Sequence, residues 1–174
     1  SNVTSLVSGP PVNSATGNAD STTPSVSADG RYIAFSSAAA NLVAGDTNNR
    51  KDIFVRDLTN GVTTLVSVTS TGTLGNGDSI SPKISADGRY VLFESKATSL
   101  LPADMNGASS DIFLKDLITG DLTAISVDAS GQQQSGDSTE ASFSSDGRYV
   151  VFTSTAALAA SDTNGVADVY LRDR

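Results

Sequence analysis

A nine-residue phrase occurs three times in this chain at nearly equal spacing, and no other feature restricts the fold as strongly. It reads SADGRYIAF from Ser27, SADGRYVLF from Ser85 and SSDGRYVVF from Ser144. Each copy joins an Asp-Gly turn to a run of aromatic and β-branched residues, a pattern typical of a hairpin that leads into a strand. Such repetition predicts a fold built from similar units that pack on one another.

Each unit reads as four β-strands. A long polar connection follows the aromatic strand and leads to a third strand, DIFVRDL in the first unit and DIFLKDL in the second. A short turn then leads to a fourth strand, such as GVTTLVS from Gly61. The predicted units cover approximately residues 24–68, 82–127 and 141–174, within one domain of residues 1–174.

The fourth strand of the last unit is predicted at the other end of the chain. NVTSLVS from Asn2 matches GVTTLVS from Gly61, whereas the third unit stops in its third strand at Arg174. The sequence therefore predicts a circularly shifted set of units, in which residues 2–8 supply the closing strand of the last one.

Four antiparallel strands in a repeat of this length are typical of a β-propeller blade. The predicted fold class is therefore all-β, with three four-stranded antiparallel blades per chain. A β-sandwich, which also uses many short strands, remains the alternative, although it gives no reason for near-identical units.

The repeated phrases resemble the TolB-like propeller repeat family. Its blades carry an S-x-D-G-[KR] turn and an [IV]-[FY]-x-x-D strand, and both recur here in order. The resemblance implies a ring of six blades, a periplasmic or secreted location and protein partners. It implies little about activity, because propellers support many functions. The long acidic connection between the second and third strands departs from the family pattern.

Three blades alone do not close a ring, since propellers use at least four. An open arc leaves sheet edges unpaired, and symmetric self-association removes them. We expect a homo-oligomer, with a dimer of six blades favoured over a trimer of nine. Residues 2–8 would then pair beside Asp168–Arg174 of a neighbouring copy. The alternative is that the chain is a fragment of a longer product.

The connection before each third strand carries an Asp-x-Asn cluster with a further aspartate beyond it. Carboxylate, amide and backbone oxygens are the ligands that Ca²⁺ prefers. The sequence therefore predicts three calcium sites on one rim of the ring, whose ligands are Asp46, Asn48, Asp52, Asp104, Asn106, Asp111, Asp162, Asn164 and Asp168.

Turn formation is the alternative interpretation of these clusters. Aspartate and asparagine stabilise turns through bonds to their own backbone. The pattern also lacks the closing glutamate of a complete calcium loop, and its glycines stand at the wrong position. The sequence leaves both interpretations open.

Composition excludes several classes of function. The formal net charge is −8, which argues against nucleic acid as a partner. The chain contains no histidine and no cysteine, so the commonest general base and the usual zinc ligands are missing. No apolar run reaches the length of a membrane-spanning helix.

We therefore predict a non-enzymatic binding or scaffolding module that binds itself and other proteins. One alternative is a carbohydrate-binding or hydrolytic propeller that uses carboxylates. Two features of the chain argue against this alternative. The glutamates, Glu94 and Glu140, do not recur between units, and no tryptophan is present to stack on a sugar. A recently amplified or engineered repeat without an evolved ligand is the other alternative. The recurrent arginines after the Asp-Gly turns are predicted to pair with the aspartates that end the third strands.

Overall fold

The computed structural model describes residues 2–10 and 16–174, and in these residues the regular structure consists of β-strands without any α-helix. No part of this described chain forms a helix that could span a membrane. The strands are β1 (Ser21–Val26), β2 (Tyr32–Ser37), β3 (Asp52–Asp57), β4 (Val62–Leu65), β5 (Ser79–Ile84), β6 (Tyr90–Ser95), β7 (Asp111–Asp116), β8 (Leu122–Ala124), β9 (Ser138–Phe143), β10 (Tyr149–Ser154) and β11 (Asp168–Asp173).

These strands form three antiparallel sheets in chain order. The first has the order β1-β2-β3-β4, the second β5-β6-β7-β8 and the third β9-β10-β11. The arrangement confirms the predicted fold class of all-β propeller blades. Within the described residues the third sheet has three strands. The assignment of its fourth strand to residues 2–8 of a neighbouring copy stays a prediction.

The first strand of each sheet begins three residues earlier than the sequence indicated and contains a bulge. The register between β1 and β2 shifts between Thr22 and Ser25, and β5 and β9 show the same irregularity. Thr23, Ser81 and Glu140 occupy the bulges and have φ between 50° and 58°. Residues other than glycine rarely adopt this left-handed region. A bulge of this kind bends the strand and strengthens its twist.

The core lies between the sheets, because each sheet packs one face on the next. We call the face toward the following sheet the forward face and the opposite one the rear face. Ile53 and Val55 on the forward face of the first sheet share a buried cluster with Phe93 and Phe113 on the rear face of the second. Leu92, Ile112 and Leu114 pack in the same way against Val150 and Phe152 of the third sheet.

The two outer faces of this stack differ. The rear face of the first sheet is partly covered, because Val7 packs against the cluster of Phe35 and Phe54. The forward face of the third sheet is open, and its residues Val169 and Leu171 are 77% and 65% exposed. The equivalent residues of the first two sheets are at most 9% exposed.

Long basic side chains join consecutive sheets. Lys115 of β7 is buried, and its Nζ donates to the carbonyls of Val68 and Thr69 that follow β4, at 3.1 Å each. Arg172 of β11 reaches the equivalent carbonyls of the second unit at 3.4 Å. Each sheet is therefore tied to the loop of the sheet before it.

Ion pairs connect the two hairpin turns at one end of every sheet, as predicted. Each joins the arginine after the Asp-Gly turn to the aspartate at the end of the third strand, at 2.7 Å: Arg31–Asp57, Arg89–Asp116 and Arg148–Asp173. The Arg89 guanidinium lowers the pKa of Asp116 to about 2.

We expect this pairing to stabilise the fold above pH 4 and to be lost in acid. Asp116 has a lower pKa folded than unfolded, so its contribution is present above the unfolded pKa of about 3.9 and disappears as the pH falls through about 2. Urea unfolding at pH 5 and pH 3 should show a smaller loss of stability in Asp116→Asn than in the native chain. The difference should be at most about 1 kcal/mol, because the pair is partly exposed. Equal losses in both proteins would contradict this.

Candidate functional site

The acidic connections meet the loops that leave the fourth strands. In the first unit Asn48 Nδ2 donates to the Gly75 carbonyl at 3.1 Å, and the Lys51 amide donates to Asp78 at 3.1 Å. The second unit repeats both contacts, through Asn106 to Gln134 and through Ser110 to Asp137. Both kinds of loop lie at the same end of the sheets, opposite the ion pairs.

The last aspartate of each cluster begins the third strand, and in the first two units a serine after the fourth strand binds it. Ser67 Oγ donates to Asp52 Oδ1 at 2.6 Å and accepts from the Ile53 amide at 3.0 Å. Ser126 makes the same two contacts with Asp111 and Ile112. Each serine therefore fastens the fourth strand to the third.

The second cluster satisfies its buried carboxylate with side chains of the protein. Asp111 Oδ1 accepts from Ser126 and Asn106, and Oδ2 accepts from Gln133 Nε2 at 2.7 Å. Gln133 is itself held, because its Oε1 accepts from the Met105 amide at 3.1 Å. Burial raises the pKa of Asp111, and these donors act in the opposite direction.

The first cluster leaves its buried carboxylate half satisfied. Asp52 is fully buried, and its Oδ2 has no hydrogen-bond partner. Leu74 occupies the sequence position that Gln133 has in the second unit, and its side chain has no donor. Burial raises the pKa of Asp52 to about 6, against the opposing effects of Ser67 and Asn48, and the nearby Asp46 raises it further.

The third cluster is more exposed and uses a phenol. The hydroxyl of Tyr170 donates to Asp162 Oδ2, whereas the first two units have Phe54 and Phe113 at this position. Asn164 Nδ2 donates to Asp168 Oδ2 at 2.9 Å. The three copies of the acidic pattern therefore differ in the side chains that bind their carboxylates.

The nine predicted ligands lie in three separate loops, one set per unit. Across residues 2–10 and 16–174, no group of three or more carboxylates is close enough to hold a metal ion. A cation in any one loop would therefore have at most two carboxylates, together with amide and backbone oxygens. Calcium binding at all three loops remains a prediction.

Several residues of this region escaped the sequence analysis. Gln133 and Tyr170 are unique to their units, so repetition gave no signal for them. Ser67 and Ser126 recur in the strand phrases LVS and ISV. That recurrence was the available signal, and Ser8 is the matching residue in NVTSLVS.

The two glutamates meet between the second and third sheets. Glu94 is buried on β6 and accepts from the Glu140 amide at 2.9 Å, and Glu140 accepts from Thr153 at 3.2 Å. The Glu94 carboxylate therefore holds the bulge of β9 against the second sheet.

No protein-family model and no curated protein matches the chain. Several solved structures do match it. It is similar to TolB from Acinetobacter baumannii with 27% identity and a TM-score of 0.53, over 89% of this chain and 30% of that one. It is also similar to a putative TolB from Agrobacterium tumefaciens, with 22% identity and a TM-score of 0.55, over 88% and 46% of the two chains.

A third similar structure is the β-propeller domain of the Trilobed protease from Pyrococcus furiosus, described as having an open velcro topology. It has 16% identity and a TM-score of 0.50, over 90% of this chain and 43% of that one. The chain therefore spans less than half the length of these structures. Together they support a TolB-like propeller fold.

Proposed function

We propose that the chain is a non-enzymatic propeller module that closes its ring by head-to-tail association with copies of itself and presents the acidic rim to protein partners. The observation that supports this most directly is the open forward face of the third sheet. Val169 is 77% exposed there, whereas Ile53 and Ile112, its equivalents, are fully buried.

The surface that fits this open face lies at the other end of the same chain. The forward faces of the first two sheets pack on a rear face built from phenylalanines, such as Phe93 and Phe113. The rear face of the first sheet has Phe35 and Phe54 at the same positions. The forward face of one copy is therefore complementary to the rear face of another, which makes the association head to tail.

Residues 2–8 support the same arrangement. Val7 packs on the rear face of the first sheet, as Val66 after β4 packs on the rear face of the second. The segment thus lies where the fourth strand of a preceding blade is expected. Beside it is an apolar groove of about 440 Å³, lined by Leu6, Val26 and Ile33 among others. In the proposed ring, the third sheet of the neighbouring copy fills this groove.

The closing strand would also complete an acidic cluster. Ser8 matches Ser67 and Ser126, which bind the aspartate at the start of the third strand in their own units. We therefore propose that Ser8 of one copy donates to Asp168 of the next and accepts from its Val169 amide. This contact would fix the register of residues 2–8 beside β11.

The ring of six blades from two copies is favoured over nine blades from three. A periplasmic or secreted location is part of the proposal and is supported by the similarity to TolB structures.

Light scattering coupled to gel filtration tests the proposal. We expect twice the 17.7 kDa of one chain for the dimer and three times that mass for the trimer. A monomer at tens of micromolar would overturn the self-closing ring. It would favour instead a face covered by further blades of a longer polypeptide.

A further inference from the structure

We propose that the first acidic loop, unlike the other two, binds one hard divalent cation, Ca²⁺, between Asp46 and Asp52. This goes beyond the proposed ring, because all the residues concerned belong to one unit of one chain. It narrows the three equivalent sites that the repeat pattern indicated to a single one.

The central observation is a buried oxygen without a partner. Asp52 is fully buried, and its Oδ1 accepts a hydrogen bond from Ser67, whereas the neighbouring Asn48 amide donates to the Gly75 carbonyl instead. The Oδ2 of Asp52 is one of two buried side-chain polar atoms without a partner in the described residues. A buried carboxylate oxygen in that state is costly unless a cation or a donor reaches it.

A second buried carboxylate belongs to the same loop. Asp46, six residues before Asp52, is only 6% exposed. Arg50 and Lys51 are exposed, and the ion pairs in the described residues are those at the opposite end of the sheets. The first loop therefore holds two buried carboxylates, and neither is paired with a basic side chain among the described residues.

The second and third loops show what the first one lacks. The Oδ2 atoms equivalent to that of Asp52 both accept a hydrogen bond, in Asp111 from Gln133 and in Asp168 from Asn164. Tyr170 also donates to Asp162, the equivalent of Asp46. The second loop has its own unpartnered buried atom, Asn106 Oδ1, but this is a neutral amide oxygen. Only the first loop combines two buried carboxylates with an unsatisfied anionic oxygen.

The expected affinity is modest. Calcium takes six to eight oxygens, and two carboxylates leave the remainder to backbone carbonyls and water. The amide oxygen of Asn48 already accepts from the Arg50 backbone at 2.9 Å. Sites with few charged ligands fall in the range of about 10⁻⁴ to 10⁻³ M. That range suits an extracellular calcium concentration better than a cytosolic one.

The test introduces into the first loop the residue that the second loop carries at the same position. Leu74→Gln places the amide of Gln133 in the first loop, and we expect it to satisfy Asp52 Oδ2 without a cation. Leu74 is only half-buried, so the change should be tolerated. In the native chain, calcium at about ten times its Kd should raise Tm by about 3 °C or more. Leu74→Gln should raise Tm without calcium and abolish the response.

Asp46→Asn should also abolish the response, and Asp104→Asn, the matched change in the second loop, should leave it intact. Isothermal titration of the native chain should give one calcium ion per chain. An unchanged Tm of the native chain at 10 mM calcium would overturn the site, as would a full response in Leu74→Gln or its loss in Asp104→Asn. The solution mass of the same samples tests ring closure independently. A failed calcium site can therefore be told apart from a failed ring.

Discussion

Replacing Val169 and Leu171 together by lysine is expected to reduce the proposed head-to-tail assembly to monomers. Both side chains stand on the open forward face of the third sheet, and both equivalents are buried in the first two sheets. Burying a valine or leucine contributes about 1.5–3 kcal/mol, so two lost contacts amount to roughly 3 kcal/mol or more. That corresponds to at least about a hundredfold weaker association. Light scattering at a concentration where the native chain assembles measures the effect.

Ile118→Lys is the matched control for this double variant. Ile118 is 74% exposed, but it lies in the turn between β7 and β8, where it lines a cleft between the first two sheets and not the open forward face of the third. Its replacement should leave the mass unchanged. Assembly that survives the double substitution, or that is lost equally in the control, would contradict the assignment of this face as the contact.

Asp111→Ala is expected to destabilise the folded chain by about 3 kcal/mol or more. The buried carboxylate accepts from Ser126, Asn106 and Gln133, and its removal leaves these donors unpaired in the interior. Each hydrogen bond to a charged group contributes about 1.5–3 kcal/mol, and an unpaired buried donor adds its own cost. Urea unfolding monitored by circular dichroism gives the difference directly.

The control for Asp111→Ala is Asp121→Ala, an exposed aspartate at the start of the following strand. It accepts from Thr119 within the same turn, at 2.8 Å. Its replacement should change stability by less than about 0.5 kcal/mol, as is usual for surface positions. Similar losses in the two variants would mean that the buried network around Asp111 contributes little.

The architecture could be predicted from the sequence because repetition and alternation carry it. The phrases from Ser27, Ser85 and Ser144 indicate the hairpins and the strand that follows each of them. The beginnings of β1, β5 and β9 were missed by three residues. Thr23, Ser81 and Glu140 adopt positive φ there, and neither residue type nor spacing announces that conformation.

The acidic loops show what could not be predicted from the sequence. Their aspartates and asparagines are visible as a pattern, but the hydrogen bonding of the carboxylates also depends on residues outside the pattern, and these differ between units. Leu74, Gln133 and Tyr170 are such residues, and they look unremarkable in the sequence. Which oxygen is buried and which donor reaches it follows only from three-dimensional packing.

The proposed head-to-tail contact between the two outer faces would have a consequence for polymerisation. A contact between unlike surfaces closes into a finite ring only when the rotation between neighbours divides a full circle evenly. A small change in the wedge angle between sheets would turn the same contact into an open helical filament. Because bulges bend β1, β5 and β9, we expect them to influence that angle. Substitutions at Thr23, Ser81 or Glu140 are therefore the first ones to examine for fibre growth by electron microscopy.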